Sequence, residues 1–158
     1  GENMHYITRE LERKFMSMNS VFKAIMLTGA RQVGKSTMLR KLAENEQRTY
    51  VTLDNSRDRE LAQSDPKLFF QTYKPPVLID EVQKAPSLFE TIKIMCDETD
   101  EKGLFWLTGS ESRKLLREAG ESLAGRICIL KMYGLSQREK LGLCGMGTIC
   151  FDLSSLTE

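Results

Sequence analysis

The chain has 158 residues, 41% of them hydrophobic and 28% charged, with 23 basic against 22 acidic residues and a net charge of +1. This suits one globular domain, and the near-balance of charge argues against a domain held to nucleic acid by phosphate contacts. A single histidine (His5) and four cysteines (96, 128, 144 and 150) without a C-x-x-C argue against zinc. With no apolar run of 18 residues and no signal-peptide core, the expectation is a cytoplasmic protein with reduced thiols and no membrane segment.

Gly1-Glu2-Asn3 before Met4 reads as an expression remnant. From Tyr6 to Met18, Ile7, Leu11, Phe15 and Met18 recur at helical spacing, which predicts an amphipathic helix. A first strand, Phe22–Thr28, runs into Gly29-Ala30-Arg31-Gln32-Val33-Gly34-Lys35-Ser36, which fills G-x-x-x-x-G-K-[S/T] at every fixed position. Good helix formers follow over 36–46, beginning Ser36-Thr37. Strand, glycine-rich loop and helix is the context in which this motif captures phosphate. The two glycines free the backbone to turn its N–H groups inward, and the helix adds unpaired N–H groups and the positive end of its dipole. Lys35 is expected on the β- and γ-phosphates of the nucleotide, and the Ser36 hydroxyl on Mg²⁺.

Thr49–Leu53 alternates as a second strand ending at Asp54, and residues 55–73 read as two short helices. Lys74-Pro75-Pro76 stops the second of them and launches a third strand, Val77-Leu78-Ile79, which ends in Asp80-Glu81. A helix over 87–98 with Ser87 as N-cap, a fourth strand over 104–108, a helix over 111–119 and a fifth strand over 127–132 complete the alternation. Ser136 is expected to open a further helix. Strand–helix alternation implies a mostly parallel sheet in a three-layer α/β/α sandwich. After Gly142 the composition shifts to glycines and cysteines, so residues 141–158 read either as a tail or as the start of a further C-terminal region.

Asp80-Glu81 is the second chemical feature. A carboxylate at the carboxyl end of a strand beside the phosphate loop suits Mg²⁺ opposite Ser36, and Glu81, one residue on, suits a base for an attacking water. A charged pair at a strand end is also common as mere surface. The absence of [N/T]-K-x-D disfavours guanine specificity, and the absence of G-x-G-x-x-G disfavours a dinucleotide fold despite Asp54.

GARQVGKST, VLIDEVQKAPSLF, FWLTGS and SLAGRI…YGLSQRE, in that order, resemble the AAA-superfamily P-loop ATPases of bacteria and archaea. The likeness is greatest to the family that joins this module to a C-terminal domain of unknown function, and it spans roughly residues 4–140. It implies a five-stranded sheet of order 5-1-4-3-2, Lys35 on the phosphates, Ser36 and Asp80 on Mg²⁺, and Glu81 activating water. It implies a γ-phosphate sensor after the fourth strand, Ser110 ahead of Thr108, and Tyr6 and Arg9 flanking the adenine, although core packing and surface charge explain those two equally well. Arg126 stands where many relatives carry an arginine finger acting in trans, which would require a homo-oligomer; pairing with a surface carboxylate is the competing reading, and Arg113 is a weaker candidate. The helical lid of such proteins has no room before residue 158. The function expected is Mg²⁺-dependent ATP hydrolysis coupled to a protein partner or further domain. A small-molecule P-loop kinase and an ATP-gated binding module with negligible turnover are the alternatives.

Overall fold

The computed structural model describes residues 2–30, 34–133 and 148–151, with side chains described over 9–30 and 34–133. In chain order the elements are α1 (Glu2–Asn19), β1 (Ala24–Gly29), α2 (Lys35–Ala43), β2 (Thr49–Thr52), α3 (Ser56–Ser64) and α4 (Pro66–Thr72). Then follow β3 (Val77–Asp80), a 3-10 turn (Val82–Lys84), α5 (Leu88–Asp97), β4 (Phe105–Ser110), α6 (Arg113–Ser122), β5 (Ile127–Met132) and β6 (Thr148–Phe151).

The sheet order is β2-β3-β4-β1-β5-β6. Its first five strands are parallel, in the order expected, and they carry the α/β sandwich. β6 is an addition that the sequence reading did not foresee. It pairs antiparallel with β5, so residues 148–151 of the glycine-rich tail join the sheet. Thr148-Ile149-Cys150-Phe151 is β-branched and aromatic, a strand signal that the surrounding glycines obscured. The further helix expected from Ser136 lies outside the described residues.

Strand residues point alternately to the two faces, and β1, β3, β4 and β5 are buried at consecutive positions because both faces are covered. Met26, Ile79, Leu107 and Ile129 pack on one side against α3 to α6, with Phe69, Phe89, Ile92 and Leu116 among their partners. Ile25, Leu78, Trp106 and Leu130 pack on the other against Leu11 and Phe15 of α1 and Leu39 of α2. Phe15 meets Trp106 edge-on, with centroids 5.0 Å apart and planes at 89°. Burying each such ring contributes about 1.5–3 kcal/mol. Trp106 Nε1 donates to Asn19 Oδ1 at 2.7 Å, which fixes the end of α1 against the sheet.

The element ends differ from expectation in ways that matter for the site. β3 runs one residue further, because parallel pairing with β2 carries Asp80 opposite Thr52. β4 runs on to Ser110, opposite Gly29. α1 begins at Glu2, ahead of the start expected at Tyr6. Ser87 does not cap α5: its backbone is already helical, and its hydroxyl donates to Ala62 O at 3.1 Å instead. Ser112 caps α6 through Leu115 N–H, which moves that helix to 113–122.

Candidate functional site

Parallel strands place all their carboxyl ends on one edge of the sheet, and Gly29, Asp80, Ser110 and Met132 meet there. Gly29 has φ 150°, and a Cβ on it would lie 2.3 Å from Met132 O. β5 therefore approaches the loop closely enough that only glycine fits. Gly34 has φ 89° and open space around it, so its requirement is conformational rather than steric. As N-cap of α2 it brings no side chain to the N–H groups of the first turn.

Lys35 opens α2 and is buried, with Nζ donating to Gly29 O at 2.6 Å and Ala30 O at 3.0 Å. The side chain thus lies back along the loop that precedes it. Burial holds its ammonium below the usual lysine range, while the nearby charges of Glu81 and Asp80 pull the other way. Ser36 and Thr37 follow on α2, Ser36 half-buried and Thr37 exposed. Arg31, Gln32 and Val33 lie outside the described residues.

Asp80 is buried, and both of its oxygens have hydroxyl partners. Oδ1 accepts from Thr108 Oγ1 at 2.5 Å and Oδ2 from Thr52 Oγ1 at 3.2 Å. Thr108 Oγ1 in turn accepts from Glu81 N–H at 3.0 Å. Thr108 is completely buried, so its hydroxyl serves these two neighbours from beneath the cleft. Glu81 has φ 62° and ψ 49°, a left-handed conformation that costs a residue with a Cβ roughly 1–2 kcal/mol. The bond to Thr108 holds it there, and the turn throws the chain off β3 into the 3-10 turn.

The side chain of Glu81 is held as well. Gln83 Nε2 donates to Glu81 Oε2 at 2.5 Å, and Gln83 Oε1 accepts from Ser110 N–H at 3.2 Å. A hydrogen bond to a charged group contributes about 1.5–3 kcal/mol and a neutral one about 0.5–1.5 kcal/mol, together more than the roughly 1.5–2 kcal/mol of side-chain freedom that an ordered glutamine loses. Ser110 O accepts from Thr28 Oγ1 at 3.0 Å, tying the ends of β1 and β4. Lys35, Glu81, Gln83, Lys84 and Ser110 line a cleft of about 170 Å³. Lys84 is also ion-paired with Asp54.

The structure therefore brings together the loop glycines, Lys35, Asp80, Glu81, Thr108 and Ser110. It does not bring Arg126 to them. Arg126 precedes β5, at the opposite end of the sheet, about 20 Å of strand from the loop. There its guanidinium takes Asp97 with two bonds, at 2.7 and 3.0 Å, and donates to Ala124 O at 2.9 Å. The pairing holds the Asp97 carboxyl below its ordinary range. Arg9 is exposed on α1, Arg113 is exposed at the start of α6, and the Tyr6 side chain lies outside the described residues. Sequence reasoning missed Thr52 and Gln83. Thr52 gave the signal of a polar residue at the end of the strand beside Asp80, whereas Gln83, two residues past Glu81, gave none that separates it from any surface glutamine.

The donor set suits a hard cation shared with phosphate. Among the described residues no three His, Cys, Asp or Glu side chains cluster as a metal cage. Asp80 and the Ser36 hydroxyl are oxygen donors of the kind that hold Mg²⁺ when phosphate and water supply the rest. Among the described residues no helix is long and apolar enough to cross a membrane.

A family model described as an AAA domain matches residues 21–141. An uncharacterized protein of Mycobacterium tuberculosis and one of Mycobacterium bovis are each 32% identical over 115 residues, which cover 73% of this chain and 26% of each relative. The chain thus spans about a quarter of the length of these curated relatives.

Proposed function

The chain belongs to the AAA domain family, and we propose that its nucleotide-binding P-loop domain takes ATP with Mg²⁺ and hydrolyses it to ADP and phosphate. The observation that carries this reading is the convergence of Lys35 and Glu81 on one cleft, with Asp80 buried beside Glu81. Gly29 to Ser36, with Thr37 behind them, cradle the phosphates through backbone N–H groups, and Lys35 exchanges its carbonyl partners for phosphate oxygens. Ser36 and Asp80 hold the cation, and Thr52 and Thr108 keep the Asp80 carboxylate oriented. When bound, Mg²⁺ offsets the charge that develops on the transferring phosphoryl group. Glu81 takes a proton from water as the oxygen attacks the γ-phosphorus, and ADP leaves on the far side. Ser110, at the mouth of the cleft, reports on the γ-phosphate, while Thr108 acts through Asp80 and Glu81.

Arg126 is too far away to act on its own chain's nucleotide, so its role as a finger requires a neighbouring copy, and its pairing with Asp97 supports a purely structural role equally well. Hydrolysis is coupled to a protein partner or to sequence of the kind that makes up the other three-quarters of the relatives. The test is phosphate release with and without Mg²⁺, alongside ATP binding. Glu81→Gln is expected to bind ATP while losing at least about 100-fold in turnover. If Glu81→Gln turns over as the parent does, the assignment of Glu81 is wrong; ATP binding without turnover in either protein identifies an ATP-gated module.

A further inference from the structure

We propose that Gln83 is a positioning residue for hydrolysis, its carboxamide tying the Glu81 carboxylate to the backbone of Ser110. The inference rests on the reading of Glu81 as the base. Its ground is the chain of contacts from Glu81 Oε2 to Gln83 Nε2, and from Gln83 Oε1 to Ser110 N–H.

The chemistry selects a carboxamide. The Ser110 N–H needs an acceptor, and the Glu81 carboxylate needs a donor. Among side chains of this length, glutamine offers one of each from a single planar group whatever the pH. The same demand fixes the amide's orientation, because reversing it would set Nε2 against an N–H and Oε1 against a carboxylate. Glu81 is thus held twice by β4, at its backbone through Thr108 Oγ1 and at its carboxylate through Gln83 and Ser110. The second hold decides where the basic oxygens lie, since the left-handed backbone alone leaves the side-chain torsions open. Gln83 and Ser110 also line a neighbouring groove with Pro86, Ser112 and Leu115. The carboxamide therefore forms part of the wall between that groove and the cleft where Glu81 works. Because the tether ends on Ser110, a group that moves the end of β4 also moves the base.

The experiment compares steady-state phosphate release and ATP affinity of the parent, Gln83→Met, Gln83→Glu and Glu81→Gln in the same chain. Gln83→Met keeps the length and removes both hydrogen bonds; it is expected to lower kcat about 10-fold with KM unchanged within about twofold. Gln83→Glu keeps an acceptor for Ser110 N–H but sets a carboxylate against the Glu81 carboxylate, so it is expected to lower kcat at least as far as Gln83→Met, again with KM little changed. Should Gln83→Met fail to fold, the kcat-against-KM split of Gln83→Glu decides. Parental kcat in the Gln83 variants, with Glu81→Gln inactive, overturns the positioning role and leaves the base intact. Equal turnover of Glu81→Gln and the parent removes the base and the positioning role together.

Discussion

The two ends of the sheet each bury a cation, and they do so in opposite ways. At the amino end the Arg48 side chain is 3% exposed and saturated. It takes Glu46 through two nitrogens, donates to the carbonyls of Val77, Gly103 and Leu104, and lies 3.8 Å over the Trp106 ring. At the carboxyl end Lys35 meets the carbonyls of its own loop, beside two carboxylates with which, among the described residues, it makes no ion pair. A guanidinium's fixed fork suits a permanent joint, whereas an ammonium on a flexible stem can change partners. One end of the sheet is built to stay as it is, and the other to receive charge.

Four substitutions separate these ends. Arg48→Met is expected to have the largest effect, a loss of about 3 kcal/mol read by denaturant unfolding, because Glu46 and the strand-end carbonyls lose their donor; nucleotide affinity should hold. An equal loss of affinity would mean that the two ends are coupled. Lys35→Met should do the reverse, weakening ATP binding by about 100-fold, measured by titration, with stability unchanged or raised. The sign follows from burial. Folded Lys35 binds its proton less well than unfolded Lys35, so the unfolded chain binds more protons between the folded value and the ordinary lysine value. Stability from this group rises with pH across that window, and Lys35→Met should remove the slope.

Thr108→Val keeps the shape but leaves the Asp80 carboxylate and the Glu81 N–H each short of a buried partner. It should cost about 2 kcal/mol and also reduce turnover. Lost stability with full turnover would reduce Thr108 to a structural role. Arg126→Ala is the smallest perturbation, since its pair with Asp97 is solvent-exposed. The thermal midpoint should not move, and only a rise of specific activity with protein concentration should disappear. If the parent shows no such rise, Arg126 has no role in trans and its pair with Asp97 is an exposed surface pair that adds little to stability.

Much of this was legible in the sequence because it depends on local chemistry. Gly29 to Ser36 announce themselves by spacing, and the apolar stretches at 22–28, 77–79 and 104–108 give strands, the last of them continuous enough to imply cover on both faces. Asp80-Glu81 stands out because two charges end an apolar run. The resemblance adds the strand order, which the structure bears out for the five parallel strands.

Tertiary structure decided what one-dimensional spacing does not encode. The partners that hold Asp80 and Glu81 come from residues 52, 108 and 110, which parallel pairing makes neighbours, and from Gln83 in the turn that leaves β3. Thr108 and Ser110 differ little as letters; registration of β4 against β3 buries one under Asp80 and leaves the other at the cleft. The same topology sets Arg126 at the far end of a strand whose other end touches the loop. Gly29 needed both levels: the motif asks for a glycine there, and the carbonyl of Met132, more than a hundred residues on, gives the steric reason.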